Sequence, residues 1–586
     1  MFENTFEALQ RKSFSRRGFL VAGLGVASAA LLQACGGQEP SPTTASSQST
    51  TASSGSTSST ATAATSSGAS GSPSASGSTT TAASTAAATQ AADVNHKKGG
   101  VLTVAMIGEP PVVADAQFTT TTVVSDIARH IYEGLFAQDT QFSPQPMLVD
   151  KFDLSPDGLN YTFNLRSGIK FHSGQDFTSK DVIASLNRWG VLTGRGKQIY
   201  ALLAADGIKA PDDLTVTIAF KSPAGVFLAF LSLIEAFMMP EAVATAVGKD
   251  KIPDDKIDGT GPFMFKEHLA DQYIRLVRYD GYQARSEKPD GLSGKKTVYI
   301  DELKIIPVPD VTVATNGAIT GEYQFATTVD NDQYDSIAND PNLTPIIVKP
   351  GSWICVNYQK AMGPFTNKAL RQAVSMCFDR QQALIAAYGR QELTRMDPGI
   401  AAPETIWGSQ AGKEIYEKVD KDQAKSLLKD AGYNGETLRW ITTKEYPYHY
   451  NTAAYIKQEM DAIGVKVELV VSDWATVVQR RADPKNWEMI ITGLSGGAHP
   501  ATQPFNDKAW PGFWDNAQKD EVLGRMVAES DPDKLKAIID EYQTLIYEEL
   551  PFIKIGDNFA LQVIRKEVVG YIGSRNGWTF WNCSLA

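Results

Sequence analysis

The segment Gly493-Leu494-Ser495-Gly496-Gly497 has the spacing of a hydrolase nucleophile elbow. In that motif a serine stands on a sharp strand-to-helix turn and is activated by a remote downstream histidine. Met489-Ile490-Ile491-Thr492 reads as the strand. The helix is missing, because Gly496-Gly497-Ala498-His499-Pro500 breaks one. His499 is also the last histidine of the chain and lies only four residues past Ser495, too close to serve as the base. These residues argue against an enzyme. The other reactive side chains are dispersed: Cys355 falls in a strand-like stretch, Cys377 in an apolar helical one, and Cys583 near the end. The first two read as small buried hydrophobes. No CxxC pair and no clustered Cys/His set occurs among the four cysteines and six histidines, so neither a metal centre nor a cofactor is expected.

The fourth cysteine carries different chemistry. Arg11, Lys12, Arg16 and Arg17 precede an uncharged run, Gly18 to Ala34, in the order of a secretory signal. Ser15-Arg16-Arg17-Gly18-Phe19-Leu20 resembles the twin-arginine export signal, and Leu32-Gln33-Ala34-Cys35 resembles a lipobox whose cysteine is acylated after cleavage. Residues 1–34 are therefore expected to be a twin-arginine lipoprotein signal peptide and Cys35 the lipid-bearing first residue. The run is shorter than the ~20 strongly apolar residues that span a bilayer. From Cys35 to residue 98 the chain is mainly Ser, Thr, Ala and Gly, without an aromatic residue, and is expected to be a disordered tether. The remaining body, 99–586, is long enough for two or three domains. The net charge of −11 argues against a nucleic-acid partner.

These residues need a frame to position them. Gly99 to Ala105 reads as a short buried strand, followed by a loop at Glu109-Pro110-Pro111 and a helical pattern from Val123 to Leu135. A turn at Pro156-Asp157-Gly158 leads into alternating Tyr161, Phe163 and Leu165. Thr178 with Asp181 three residues on has the form of a capping box. Asp379, Asp422, Asp473 and Asp531 are placed to cap later helices.

The stretch Leu154 to Gly174, with Gly168-Ile169-Lys170-Phe171-His172, resembles the family 5 extracellular solute-binding proteins, the receptors that deliver peptides, nickel complexes and some oligosaccharides to ABC importers. Further matches follow in the family's order: Gly259-Thr260-Gly261-Pro262-Phe263, Tyr279-Asp280-Gly281-Tyr282, Ile300-Asp301-Glu302-Leu303, Val356-Asn357-Tyr358, Pro364-Phe365, Ala431-Gly432-Tyr433, Ile463-Gly464-Val465, Asp473-Trp474 and Glu549-Leu550-Pro551-Phe552. The resemblance covers 99–586. It implies an α/β, two-lobed periplasmic-binding-protein-like fold (type II, venus flytrap), with an extra subdomain inserted in the first lobe. Lobe I would comprise 99–129, 259–350 and 551–586; the inserted subdomain 130–258; lobe II 351–550. Chain crossings near Trp353 to Tyr358 and Phe552 to Phe559 would form the hinge.

The resemblance also implies a monomeric receptor that captures a small solute (peptide, oligosaccharide or metal complex) between its lobes and presents it to ABC permease subunits. The only membrane contact would be the lipid, and the energy source another subunit, since no Walker motif is present. A sensor docking on a signalling receptor, or a secreted GxSxG hydrolase, are the alternatives. In peptide-binding members an Asp after the strand ending near 492 holds the cargo ammonium. Leu494 stands at the matching position here, which points toward a neutral or saccharide-like cargo, unless Leu494 is ordinary packing. Trp353, Asn357, Tyr446, Leu494, Ser495, Gly496 and His499 are the candidate ligand contacts. Asn357 serves equally as a brace of the crossing strand, and His499 as a shaper of the turn at Pro500. Trp474 reads as core and His172 as structural.

Overall fold

In the computed structural model a single large sheet runs through the body of the chain. Its strands lie in the order Val467–Val471, Leu438–Thr442, Met489–Ser495, Leu343–Tyr358, Phe552–Arg565, Phe325–Ala326, Val101–Met106, Glu302–Pro307, Tyr273–Arg278 and Phe263–Leu269, with Thr394–Arg395 pairing onto Phe552–Arg565. The structure describes residues 96–119, 121–573 and 577–586, which lie in one compact unit, Ala87–Ala586. The expectations for the signal peptide, Cys35 and most of the tether fall outside the described residues.

Two long antiparallel strands, Leu343–Tyr358 and Phe552–Arg565, join the halves of this sheet. On one side Val101–Met106 runs parallel to Glu302–Pro307 and Phe325–Ala326. On the other Leu438–Thr442 runs parallel to Val467–Val471 and Met489–Ser495. Each half has its own apolar core. Leu102, Val104, Ile274, Leu303 and Ile305 pack with Trp578 and Phe580 in the first. Ile354, Val356, Leu370, Leu384, Trp440, Ile456 and Ile491 pack in the second. The crossing strands bury Ile354, Val356, Ile553 and Ile555 in the second core, with Lys554, Asp557 and Asn357 buried among them.

Between the segments of the first half lies a separate four-stranded antiparallel sheet, in the order Val149–Leu154, Asn160–Leu165, Thr215–Phe220, Leu203–Asp212. The alternation of Tyr161, Phe163 and Leu165 points inward, against Trp189, Phe220, Phe227 and Phe230 of its own core. Helix Ser179–Leu192 starts as expected, with the Thr178 N–H donating to Asp181 Oδ2 at 2.8 Å. His172 ties this body to the first half: its Nε2 lies 2.9 Å from the Gly261 carbonyl and its N–H donates to the Gly259 carbonyl at 2.8 Å. Two of the stretches that carry the resemblance thus meet in space.

Some local expectations shift. The first helix is Thr122–Ile131, ending at Tyr132, whose extended backbone starts the approach to a bridge between Gly134 and Phe237. Asp379, Asp473 and Asp531 each cap a helix, but the cap of Lys421–Asp430 is Asp420, which accepts from the Gln423 N–H at 2.8 Å. Asp422 instead lies inside the first turn. Cys355, Cys377 and Cys583 are free and buried, Cys377 just beyond helix Lys368–Ser375. No described helix is long and apolar enough to cross a membrane.

Candidate binding cleft

The direction of the strands locates the cleft. Phe325 and Ala326 pair with Ile564 and Val563, so the parallel strands of the first half run toward the middle of Phe552–Arg565. Ser495 pairs with Ser352, so the parallel strands of the second half end at the same place from the opposite side. Both sets of carboxyl ends, with their following loops, therefore converge where the chain crosses. Crevices beyond strand carboxyl ends are where ligands bind in open α/β sheets. The crossing itself is narrow: register slips between Val348 and Ser352, and a Cβ on Gly351 would lie 1.8 Å from the Asn558 carbonyl oxygen, so only glycine fits there.

Strand alternation divides the candidate residues. Trp353 pairs with Leu494, and both point into an apolar cluster with Trp407, Phe505, Trp514 and Phe552. Trp353 is fully buried, 5.5 Å from the Phe552 ring and 6.1 Å from Phe505. Ser495 and Gly493 face the other side of the sheet and are exposed, with the Tyr448 hydroxyl approaching Gly493. Asn357, five residues beyond Ser352 and 1 % exposed, donates through its amide to the Pro511 carbonyl. Tyr446 is 44 % exposed at the start of helix Pro447–Ala462, edge-on to Trp474 at 5.3 Å. Gly496 is held in the backbone, donating to the Gly351 carbonyl at 3.1 Å and accepting from the Ala402 N–H at 2.8 Å.

His499 is buried and packs edge-on to Trp407 at 5.0 Å, with its Nδ1 accepting from the Ala501 N–H at 3.1 Å. Burial pushes its pKa down to about 3. The ring is neutral and committed to the turn at Pro500–Thr502. The strand that ends at Ser495 does not turn directly into an α-helix, the next element being the short 3-10 turn Pro500–Thr502, so this loop lacks the frame of a nucleophile elbow.

Beneath Trp353 lies a charge network that the sequence reading missed. Lys554 Nζ is 2.8 Å from Asp557 Oδ1 and 3.6 Å from Asp397 Oδ1, donates to the Gly399 carbonyl, and sits 5.6 Å from the centre of the Trp353 ring. Arg395 donates to Asp557 Oδ2 at 2.6 Å and to both oxygens of Glu404. Lys554, Asp557 and Asp397 are buried. Charges interrupting the apolar run Phe552 to Phe559 were the available signal, because a charge in a fully buried strand needs a partner. The network fixes Thr394–Arg395 and the loop to Glu404 against the crossing strand, setting one wall of the cleft.

Residues 143–541 match the family model described as "Bacterial extracellular solute-binding proteins, family 5 Middle". The chain belongs to this family. A probable peptide ABC transporter periplasmic-binding protein of Sinorhizobium fredii is 30% identical over 498 residues, covering 80% of this chain and 91% of that one. A glutathione-binding protein of Pectobacterium atrosepticum is 26% identical over 487 residues, again with 80% and 91% covered. An ABC transporter substrate-binding protein of Listeria monocytogenes superposes with a TM-score of 0.73 at 20% identity, over 83% of this chain and all of that one, and shares its fold. The fold is thus the two-lobed type II architecture, its lobes the two halves of the large sheet.

Replacing Lys554 with Met leaves Asp557 and Asp397 buried without their ammonium, a change that typically costs about 3–5 kcal/mol. Urea unfolding of Lys554→Met should show a loss of that order. Adding Asp397→Asn should return part of it, because Asp557 still has Arg395 at 2.6 Å whereas Asp397 has lost the ammonium 3.6 Å away, and the second change removes that carboxylate's charge.

Proposed function

We propose that this family 5 solute-binding protein is a lipid-anchored receptor that captures a small peptide-like solute between its lobes and hands it to an ABC importer. The observation that carries this reading is the convergence of both sets of strand carboxyl ends on one crossing. A solute held there touches loops of both lobes, so its contacts favour the closed arrangement, and closure about the two crossing strands is the motion this connectivity allows. The names of the Sinorhizobium and Pectobacterium relatives support a peptide-like cargo.

Cargo recognition here is better suited to a neutral group than to a free ammonium. Leu494, 8 % exposed, turns into an apolar cluster and supplies no carboxylate. Loops that follow the carboxyl ends of the strands also expose apolar side chains: Ile107 directly after Val101–Met106, and Tyr446 after Leu438–Thr442. Trp353, Asn357, Tyr446, Leu494, Ser495, Gly496 and His499 remain the proposed contacts. Those on the Ser495 and Tyr446 side touch cargo directly in this reading, and those on the buried side shape the loop.

Anchoring belongs to the same proposal. Acylated Cys35 and a tether of ~60 residues, spanning roughly 40–45 Å r.m.s. as a flexible coil, would keep the receptor at a high effective concentration near its permease. Export through Arg16 and Arg17 would deliver it folded. Cys35→Ala should move the protein from the membrane to the soluble fraction; unchanged membrane association contradicts the anchor. A thermal-shift screen should raise the unfolding temperature by several degrees with N-acylated peptides or oligosaccharides, since a ligand that binds only the folded state stabilises it by mass action. A large shift confined to free-amine peptides contradicts the neutral-group reading, and no shift with any peptide, oligosaccharide or nickel complex contradicts the receptor itself.

A further inference from the structure

Phe142 belongs by sequence to the inserted body but is buried in the second lobe. It lies on the hairpin joining Phe136–Gln138 to Pro144–Pro146. The ring is 5 % exposed and packs in the apolar cluster that contains Trp353, Trp407, Leu494 and Phe505; every other buried member of that cluster lies between Trp353 and Phe552. Beside it the Gln141 carbonyl accepts from the Ile406 N–H at 3.1 Å. The Gly497 backbone completes the socket: a Cβ there would lie 2.8 Å from the ring.

The hairpin is built to present this ring. Phe142 has φ 67°, in the left-handed region, which is a strained choice for a bulky side chain. Asp139 holds the tip in place, with Oδ1 accepting from the Gln141 and Ser143 N–H groups at 2.9 and 2.8 Å and Oδ2 from the Gln145 amide at 2.9 Å. Asp290 accepts from the Thr140 N–H at 2.9 Å and hydroxyl at 2.7 Å, fixing the hairpin to the first lobe. A rigid base on one lobe and an aromatic tip in a socket on the other are the parts of a latch. The socket includes the loop Leu494 to His499, one wall of the cleft.

We infer that Phe142 is a closure latch, whose insertion into this second-lobe cluster, against Gly497, holds the lobes together and sets the position of the 494–499 loop. The inference rests on the proposed lobe closure but not on any particular cargo. Seating a buried aromatic anchor in a preformed pocket is the type of contact that dominates interface energies. Because the ring sits on a left-handed residue, Phe142→Gly removes it while leaving the turn unstrained. Gly497→Ala blocks the socket from the other lobe.

Hydrogen exchange of the whole protein, without cargo, separates the outcomes. Both variants should raise exchange about tenfold or more in 402–408 and 495–503, while strands Asn160–Leu165 and Thr215–Phe220 keep their protection. Unchanged exchange in 402–408 and 495–503 overturns the latch. A rise that also spreads through the small sheet overturns it too, because Phe142 would then be stabilising its own body. A protein that shows the confined rise yet binds no peptide, oligosaccharide or nickel complex would retain the latch and lose the receptor reading.

Discussion

Everything in this molecule hangs on one pairing, the antiparallel ladder between Leu343–Tyr358 and Phe552–Arg565. Those strands belong to both halves of the large sheet, so their register fixes where each set of parallel strands ends and hence where loops from the two lobes meet. The ladder is interrupted at Lys349-Pro350-Gly351, where the Asn558 carbonyl leaves room for no side chain on residue 351. Just beyond the interruption, Trp353 is pinned over Lys554, whose ammonium is held by Asp557 and Asp397. The crossing is therefore thin in backbone and heavily braced on its second-lobe side. The slipped register is where the proposed closure would bend the join.

Buried charge is an unusual way to brace a strand. An ion pair removed from water contributes little net stability over an apolar substitute, but leaving one partner alone is costly. The arrangement of two cations and three carboxylates around Trp353 consequently acts as a constraint: each member restricts where the others lie. It sets the position of the Asp397 to Glu404 loop, which in turn presents Ile406 and Trp407 to the Phe142 hairpin. Wall, crossing and opposing hairpin form one connected chain of contacts.

The fold was legible where local pattern and tertiary role agree. Alternating Tyr161, Phe163 and Leu165 gave a strand and its buried face, and Met489 to Thr492 gave the start of another that runs on to Ser495. Helix starts were readable from Asp residues because the cap is a local interaction, although two acidic residues two apart, Asp420 and Asp422, left the choice to the surrounding packing. Candidate contacts were less legible. Proximity in sequence placed Leu494 and Ser495 together, yet strand alternation sends them to opposite faces. Phe142 carries no local signal of its destination, since Gly497, which its ring meets, and Ile406, which bonds the neighbouring Gln141, lie more than 250 residues on. Lys554 and Asp557 did carry one, as charges in an apolar run, but their partners Asp397 and Arg395 come from a distant loop.

The central claim is that a solute is held where both sets of strand carboxyl ends converge. A crystal structure of the protein grown with the compound that most raises its unfolding temperature tests this most directly. The account predicts solute in contact with both lobes at the crossing, touching the loops that follow Met106 and Thr442 and the exposed side of Gly493 to Gly496. Solute bound to the outer face of a single lobe, with the crossing empty, would contradict it.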